Sequence, residues 1–161
     1  MQLVLFQPQI PPNAGSIARL CAATDTLLHF IEPLGFNLDD RHLKRAGLDY
    51  WPWVRLKVWP GWQDFCHSLP PESRLILTSA RASNSVFDYT FSGDEILVLG
   101  PESDGLPPWL LQSYDLHLRI PILQEDAVRS LNLSNAAAVF IYEDLRQRGH
   151  LICNAQSTAD T

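Results

Sequence analysis

Short apolar runs alternate with helical patterns along this chain, and that alternation constrains the fold more than any other feature of the sequence. A strand pattern over residues 2–6 is followed by Pro11-Pro12-Asn13, which opens a helix with apolar residues at helical spacing. The same order recurs to the end of the chain. It predicts an α/β fold with a mostly parallel sheet, helices on both faces, and ligands held by loops at the carboxyl ends of the strands.

Further strands and helices are expected on the same grounds. The predicted strands cover 28–31, 74–78, 96–99 and 116–120, and the predicted helices cover 38–46, 61–68, 107–113 and 133–148. The first of these helices is basic and amphipathic. The last has the clearest end, because Arg146 and Arg148 occupy its final turn and Gly149 lies just beyond.

The length and composition of the chain predict one compact domain. Its 161 residues are 46% hydrophobic, which is enough for a sizeable core. We expect residues 1–150 to form the domain and the small, polar segment 151–161 to be a flexible tail. The longest apolar stretch, 136–142, is too short to cross a bilayer, and the first residues carry no basic region. We therefore expect a soluble cytoplasmic protein without a membrane partner.

The cysteines and histidines show no spacing typical of a metal site. The three cysteines are an odd number, which argues against a disulfide framework, and the five histidines are scattered along the chain. We therefore predict that the protein holds no metal and that its thiols stay reduced.

The charge distribution argues against binding of nucleic acid through a general positive potential, because the formal net charge is -6 at pH 7. Most basic residues of the first half fall in one window. They are Arg41, Lys44, Arg45, Arg55 and Lys57. From charge alone, a solvated helix face is favoured over a local patch that binds RNA.

A loop rich in glycine, proline and carboxylates, Leu99–Pro107, directly follows the strongest strand pattern of the chain. Its two glycines have the spacing of a phosphate-binding P-loop, but Leu106 and Pro107 stand where the lysine and the hydroxyl residue belong. Glu102 and Asp104 would repel phosphates. The loop therefore better suits a ligand that is neutral or cationic.

A second run, Arg129–Asn135, places hydroxyls and carboxamides just before the last helical pattern. Such side chains can cap the helix, and they can also present hydrogen bonds to a bound ligand. Taken singly, Ser130 and Asn132 could be simple caps, and Glu102 could hydrogen-bond its own turn. Together, the two runs look like halves of one pocket.

Three ordered segments carry a resemblance to a known family. Asn13–Cys21, Leu99–Pro107 and Arg129–Ala136 resemble the three motifs of the SPOUT-class RNA 2'-O-ribose methyltransferases. Within that class the chain is most similar to the small, single-domain tRNA wobble-position (cytidine/uridine) 2'-O-methyltransferases. The resemblance covers residues 2 to about 149. Supporting segments are 10–12, 31–36, 44–50 and 141–143.

The resemblance implies a homodimer with a C-terminal trefoil knot, although general rules for chain connections predict against a knot. It implies S-adenosylmethionine as methyl donor and the ribose 2'-hydroxyl of the wobble nucleotide, position 34 in the tRNA anticodon loop, as acceptor. Alternatives are 2'-O-methylation of another tRNA or rRNA site, and a non-catalytic dimer that binds RNA or S-adenosylmethionine.

The resemblance also implies roles for individual residues. The methyl-transfer site would be formed by Asn13, Arg19, Glu102 and Asn132, with Ser130 lining it. Backbone groups around the donor would come from Leu77, Gly100, Ile120, Ser130 and Leu131. Contacts with RNA would come from Arg41, Lys44, Arg45 and Tyr142.

Arg19 is an awkward base because its guanidinium stays protonated. We expect it to orient an RNA phosphate and to stabilise negative charge on the ribose oxygen, while the proton passes to the phosphate or to water. Without the other motifs, Asn13 and Arg19 would be an N-terminal cap and a solvated charge. Asp104 stands where relatives commonly have a basic residue, which leaves the RNA target less certain than the reaction.

Overall fold

The structure is a computed structural model that describes residues 1–38 and 50–151. Within these residues, seven strands form one parallel sheet. The strands are β1 (Gln2–Phe6), β2 (Leu27–Ile31), β3 (Leu56–Trp59), β4 (Leu75–Thr78), β5 (Asn84–Ser85), β6 (Ile96–Leu99) and β7 (His117–Arg119). Their order across the sheet is β3-β2-β1-β6-β4-β7-β5. The predicted α/β fold with a parallel sheet is confirmed.

The described part of the chain also forms four α-helices and one short 3-10 helix. The α-helices are α1 (Pro11–Ala23), α2 (Trp62–His67), α3 (Pro108–Gln112) and α4 (Leu133–Gln147), and the 3-10 helix is Trp51–Trp53. The longest two, α1 and α4, pack against each other. None of the helices among the described residues is both long and apolar enough to span a membrane.

The sheet has an apolar core on each face. Along β1, Leu3 and Leu5 point into the core beneath α1 and α4, whereas Val4 and Phe6 point into the core beneath α2 and α3. All four residues of β6 are buried because this strand lies between β1 and β4. Continuous apolar runs are what parallel strands covered on both faces require. Each fully buried leucine or phenylalanine contributes roughly 1.5–3 kcal/mol.

Two ion pairs stabilise the C-terminal part of α4. Asp144 is almost completely buried and pairs with Arg148 at 2.7 Å, and Glu143 pairs with Arg146 at 2.8 Å. The hydrogen bonds from Arg146 hold the pKa of Glu143 at about 2. The predicted end of the helix is correct, because Gly149 follows it with φ of +73°.

Two strands were absent from the sequence-based prediction. β3 is an edge strand with two exposed residues, one of them Lys57, and β5 has only two residues, so neither shows a clear apolar pattern. The predicted basic helix over 38–46 and most of the predicted tail lie outside the described residues. The trefoil knot stays a prediction.

Candidate active site

A cleft of about 910 Å³ opens at the carboxyl edge of the sheet. It lies where the loops after β4, β6 and β7 meet the first turns of α1 and α4, the position at which open parallel sheets bind ligands. Its volume is that of a pocket for a small molecule. The apolar part of the lining comes from Leu99, Leu118, Ile120, Leu133 and Phe140.

The loop after β6 is folded tightly on itself. A Cβ atom on Gly100 would lie 2.3 Å from the backbone nitrogen of Leu106 and 2.4 Å from the carbonyl carbon of Gly105, so only glycine fits at position 100. Gly105 has a φ of +70°, and its N–H donates to the carbonyl oxygen of Pro101 at 3.0 Å. This compact loop presents Glu102 to the start of α1.

The Glu102 carboxylate accepts three hydrogen bonds from the segment that begins α1. The N–H of Gln9 donates to Oε2 at 2.9 Å, and Oε1 accepts from the N–H of Ile10 at 3.2 Å and from Nδ2 of Asn13 at 3.1 Å. Helix α1 begins with two prolines, and Ile10 has no side chain that can cap it. The carboxylate from a distant loop thus binds the two residues just before α1 and the Asn13 side chain, and it faces the positive end of the helix dipole. Glu102 acts across the fold rather than within its own turn.

Asn13 and Asn132 join α1 to α4. Nδ2 of Asn132 donates to Oδ1 of Asn13 at 2.9 Å. Oδ1 of Asn132 accepts from the backbone N–H of Ser134 at 2.9 Å and from its hydroxyl at 2.7 Å. Asn132 is thus the N-cap of α4, as the capping interpretation predicts, and it also contacts a residue of α1. We call the hydrogen-bonded series Glu102, Asn13, Asn132 and Ser134 the amide relay.

Most of the remaining predicted site residues lie around the same cleft. Gly100, Ile120, Ser130 and Leu131 line it together with Asn13, Glu102 and Asn132. Leu77 differs, because its side chain is fully buried in the sheet and its N–H donates to the carbonyl oxygen of Leu116 at 3.1 Å. The next two residues, Thr78 and Ser79, line the cleft instead.

Arg19 and Tyr142 do not line the cleft. Arg19 is exposed on α1, with its guanidinium carbon 5.6 Å from the centroid of the Tyr50 ring. The Tyr50 hydroxyl donates to the carbonyl oxygen of Gly15 at 3.1 Å, which fixes that ring on α1. The side chain of Tyr142 is 46% exposed on α4. The other residues predicted to contact RNA, Arg41, Lys44 and Arg45, lie outside the described residues.

The cleft also holds three arginines for which the sequence predicted no role in the site. Arg81, Arg119 and Arg129 line it, and Nη1 of Arg119 lies 3.1 Å from Oε1 of Glu125. Arg81 follows β4 closely and Arg119 is the last residue of β7. Because ligands bind at the carboxyl ends of parallel strands, the positions of Arg81 and Arg119 at or just after the ends of predicted strands were a usable signal. With Glu102 and Asp104 also present, the cleft offers charges of both signs. No set of three or more His, Cys, Asp or Glu side chains among the described residues could hold a metal ion.

The chain is similar to known proteins over almost all of its length. The sequence profile of the SpoU rRNA Methylase family matches residues 1–142. A tRNA (cytidine(34)-2'-O)-methyltransferase of Aeromonas hydrophila is 44% identical over 152 residues, covering 93% of this chain and 96% of the relative. The enzyme of the same name from Saccharophagus degradans is 46% identical over 149 residues, covering 91% and 95%.

The fold is similar to that of a solved structure described as concerning the 2-OH methylation of C/U34 on tRNA. The TM-score is 0.88 at 45% sequence identity, and the match covers 92% of this chain and 96% of the solved one.

Proposed function

Since this chain belongs to the SpoU rRNA Methylase family, we propose that it transfers a methyl group from S-adenosylmethionine to the ribose 2'-hydroxyl of the wobble nucleotide, position 34, in a tRNA anticodon loop. The observation that carries the proposal is the amide relay, which joins side chains from all three motif segments at one cleft. The relatives named for cytidine 34 support the choice of target. The proposed catalytic domain spans residues 1–150 and acts in the cytoplasm.

The cleft has the chemistry that S-adenosylmethionine requires. Apolar side chains such as Leu118, Ile120 and Phe140 offer a surface for the adenine ring. The donor also carries a sulfonium, an ammonium and a carboxylate. Asp104 and Glu125 can balance the two cationic groups and the arginines of the cleft can balance the anionic one. In this proposal the backbone around Gly100, Ser130 and Leu131 holds adenine and ribose. Thr78 and Ser79 make the contacts with the donor that were expected around Leu77.

The donor supplies a methyl group bound to a positively charged sulfur. The ribose oxygen forms a new C–O bond with the methyl carbon while the C–S bond breaks. The electron pair of the C–S bond stays on sulfur. The hydroxyl proton passes to an RNA phosphate oxygen or to water. The protein aligns the oxygen with the methyl carbon, and alignment of this kind supplies a large part of the rate.

Arg19 is proposed to bind an RNA phosphate next to the reacting ribose. Its exposed position on α1, outside the cleft and beside the Tyr50 ring, suits contact with RNA rather than with the methyl donor. A guanidinium suits a phosphate because it stays charged and can donate two parallel hydrogen bonds.

We further propose that the protein acts as a homodimer whose RNA-binding surface includes Tyr142, Arg41, Lys44 and Arg45. The exposed ring of Tyr142 on α4 is available for contact with RNA or a second subunit. Trp53, which is 76% exposed, is a further aromatic ring on which an unstacked base could lie.

The test uses labelled S-adenosylmethionine and tRNA from cells that lack this protein, with the modified nucleotide mapped by mass spectrometry. We expect 2'-O-methylation of nucleotide 34. A methyl group at another tRNA position, or in ribosomal RNA alone, would keep the reaction and overturn the target. Donor binding without methylation of any RNA would refute the enzymatic proposal.

A further inference from the structure

The groups at the two ends of the amide relay fix which atom of each asparagine carboxamide is the oxygen and which is the nitrogen. At one end, the Glu102 carboxylate can only accept a hydrogen bond, so the Asn13 group 3.1 Å away must be the Nδ2 donor. At the other end, the backbone N–H of Ser134 can only donate, so the Asn132 group that it meets must be Oδ1. The bond between the two asparagines, from Nδ2 of Asn132 to Oδ1 of Asn13, agrees with both.

Each carboxamide keeps one N–H that the relay does not use. An amide nitrogen carries two hydrogens, and within the described part of the chain Nδ2 of Asn13 and Nδ2 of Asn132 each have a single acceptor. Both side chains line the cleft, and Asn13 is only 8% exposed. The unused donor of Asn13 is buried, which favours a ligand oxygen that completes its hydrogen bonds. Asn132 is exposed at the mouth of the same cleft, and its unused donor can reach the same ligand.

We propose that Glu102 is a positioning residue that, through Asn13, directs one N–H of Asn13 and one N–H of Asn132 at the ribose oxygen that receives the methyl group. The inference rests on the proposed function. As the hydroxyl proton leaves for a phosphate or for water, negative charge grows on the ribose oxygen. Two oriented N–H donors stabilise that charge in the manner of an oxyanion hole.

Glu102 itself stays out of the proton transfer. Its Oε1 already accepts two hydrogen bonds and its Oε2 accepts one, all from the segment that begins α1. A glutamine at this position can keep its oxygen for Asn13 and Ile10, but its NH₂ group then meets the N–H of Gln9, so the side chain must shift. Glu102→Gln therefore loosens Asn13 without removing a side chain from the cleft.

Asn132→Asp separates positioning from helix capping. Aspartate and asparagine are equally good N-caps, so the bond to Ser134 and the start of α4 are kept. The substitution removes both N–H donors, one facing Asn13 and the other facing the cleft, and it sets a carboxylate oxygen against Oδ1 of Asn13. A residue that acts only as a cap would tolerate it.

The experiment compares methyl transfer, donor affinity and thermal unfolding for the wild type, Glu102→Gln and Asn132→Asp. Glu72→Gln is a matched control for Glu102→Gln, since Glu72 is exposed and lies outside the cleft. We expect kcat to fall about 10- to 100-fold in Glu102→Gln and about 100- to 1,000-fold in Asn132→Asp, with donor Kd changed less than about threefold. The plot of kcat against pH for Glu102→Gln should have the same shape as that of the wild type, with lower values at every pH.

Side-chain amide resonances supply a readout that does not depend on activity. In Glu102→Gln, the resonances of both Asn13 and Asn132 should shift, although of these two residues only Asn13 is hydrogen-bonded to Glu102. A wild-type kcat in Asn132→Asp would show that Asn132 is only a helix cap. If the dependence of kcat on pH loses one of its two limbs in Glu102→Gln, Glu102 acts as a general base. Either result overturns the inference. Failure of the proposed function is distinct, because the wild type itself would then not methylate nucleotide 34.

Discussion

Nδ2 of Asn132 lies 2.9 Å from Oδ1 of Asn13, a hydrogen bond between residues 119 positions apart in the sequence. It ties the first turn of α1 to the N-cap of α4, two helices that pack against each other on one face of the sheet. The position of Asn132 at the cleft therefore depends on how the two helices pack. Changes along the amide relay should affect catalysis and stability in separable ways.

Asn13→Asp should destabilise the fold and abolish turnover, because it places a second carboxylate 3.1 Å from Glu102 in a buried setting. The expected loss in the free energy of unfolding is about 2–4 kcal/mol, measured by urea denaturation. In the double variant Asn13→Asp with Glu102→Gln, the glutamine NH₂ can donate to the new carboxylate. Stability should recover by at least about 1 kcal/mol while activity should not, since the N–H donor of Asn13 is still missing. Parallel recovery of both quantities would contradict the relay.

Arg19→Lys should lose most turnover while donor affinity stays close to normal, because Arg19 lies outside the cleft and a lysine cannot form two parallel bonds to a phosphate. The measurement is kcat against tRNA, together with donor Kd by calorimetry. Arg55→Lys is the control, since Arg55 is exposed, lies outside the cleft and pairs with Asp25 at 3.0 Å. A large loss of donor affinity would refute the proposed role of Arg19.

Gly100→Ala should weaken donor binding and lower the free energy of unfolding by roughly 1–3 kcal/mol. The added Cβ would overlap the backbone at Leu106 and Gly105, so the loop that presents Glu102 must move. Gly61→Ala is the matched control, because a Cβ there would meet only Asp64 Oδ2, at an ordinary contact distance of 3.4 Å. Calorimetric titration with S-adenosylhomocysteine and thermal unfolding measure the two effects. Unchanged affinity in Gly100→Ala would place the donor elsewhere.

Acid should destabilise the protein through His29. The Nε1–H of Trp59 donates to Nδ1 of His29 at 3.0 Å, so the histidine proton is on Nε2, which faces Oε1 of Gln2 at 2.9 Å. Burial, with a smaller effect of Lys57, lowers the pKa of His29 from 6.5 to about 4. A lowered histidine pKa means that the unfolded chain binds the proton first. The contribution of neutral His29 to the stability of the folded state is complete above pH 6.5 and is lost as the pH falls toward 4.

The size of this effect is about 2 kcal/mol at pH 5 relative to neutral pH. Urea unfolding at a series of pH values should show the decline in the wild type and a flatter curve in His29→Gln. His67→Gln is the control, because His67 is exposed at the end of α2. If the free energy of unfolding falls equally steeply with pH in the wild type and in His29→Gln, the buried histidine is not the source of the acid sensitivity.

The local pattern predicted the elements that build the site. The strand β6, the start of α1 and both ends of α4 were expected to within one or two residues, since apolar runs, prolines and caps mark them directly. The meeting of the loop after β6 with the start of α4 followed from the alternation of strands and helices. Arg81 and Arg129 were given no role in the site, because an exposed arginine does not by itself indicate a ligand even where it follows a strand or belongs to a motif segment.

The sequence by itself determined the α/β class, the covered parallel sheet and the family, because periodicity, composition and motif order depend on neighbours along the chain. Only the tertiary structure decided that β6 lies between β1 and β4 and that Glu102 binds the start of α1, across 93 residues, instead of its own turn. It also decided the direction of each hydrogen bond in the amide relay. A carboxylate or an amide can satisfy its hydrogen bonds in many places, and packing of distant segments selects which partners lie within reach.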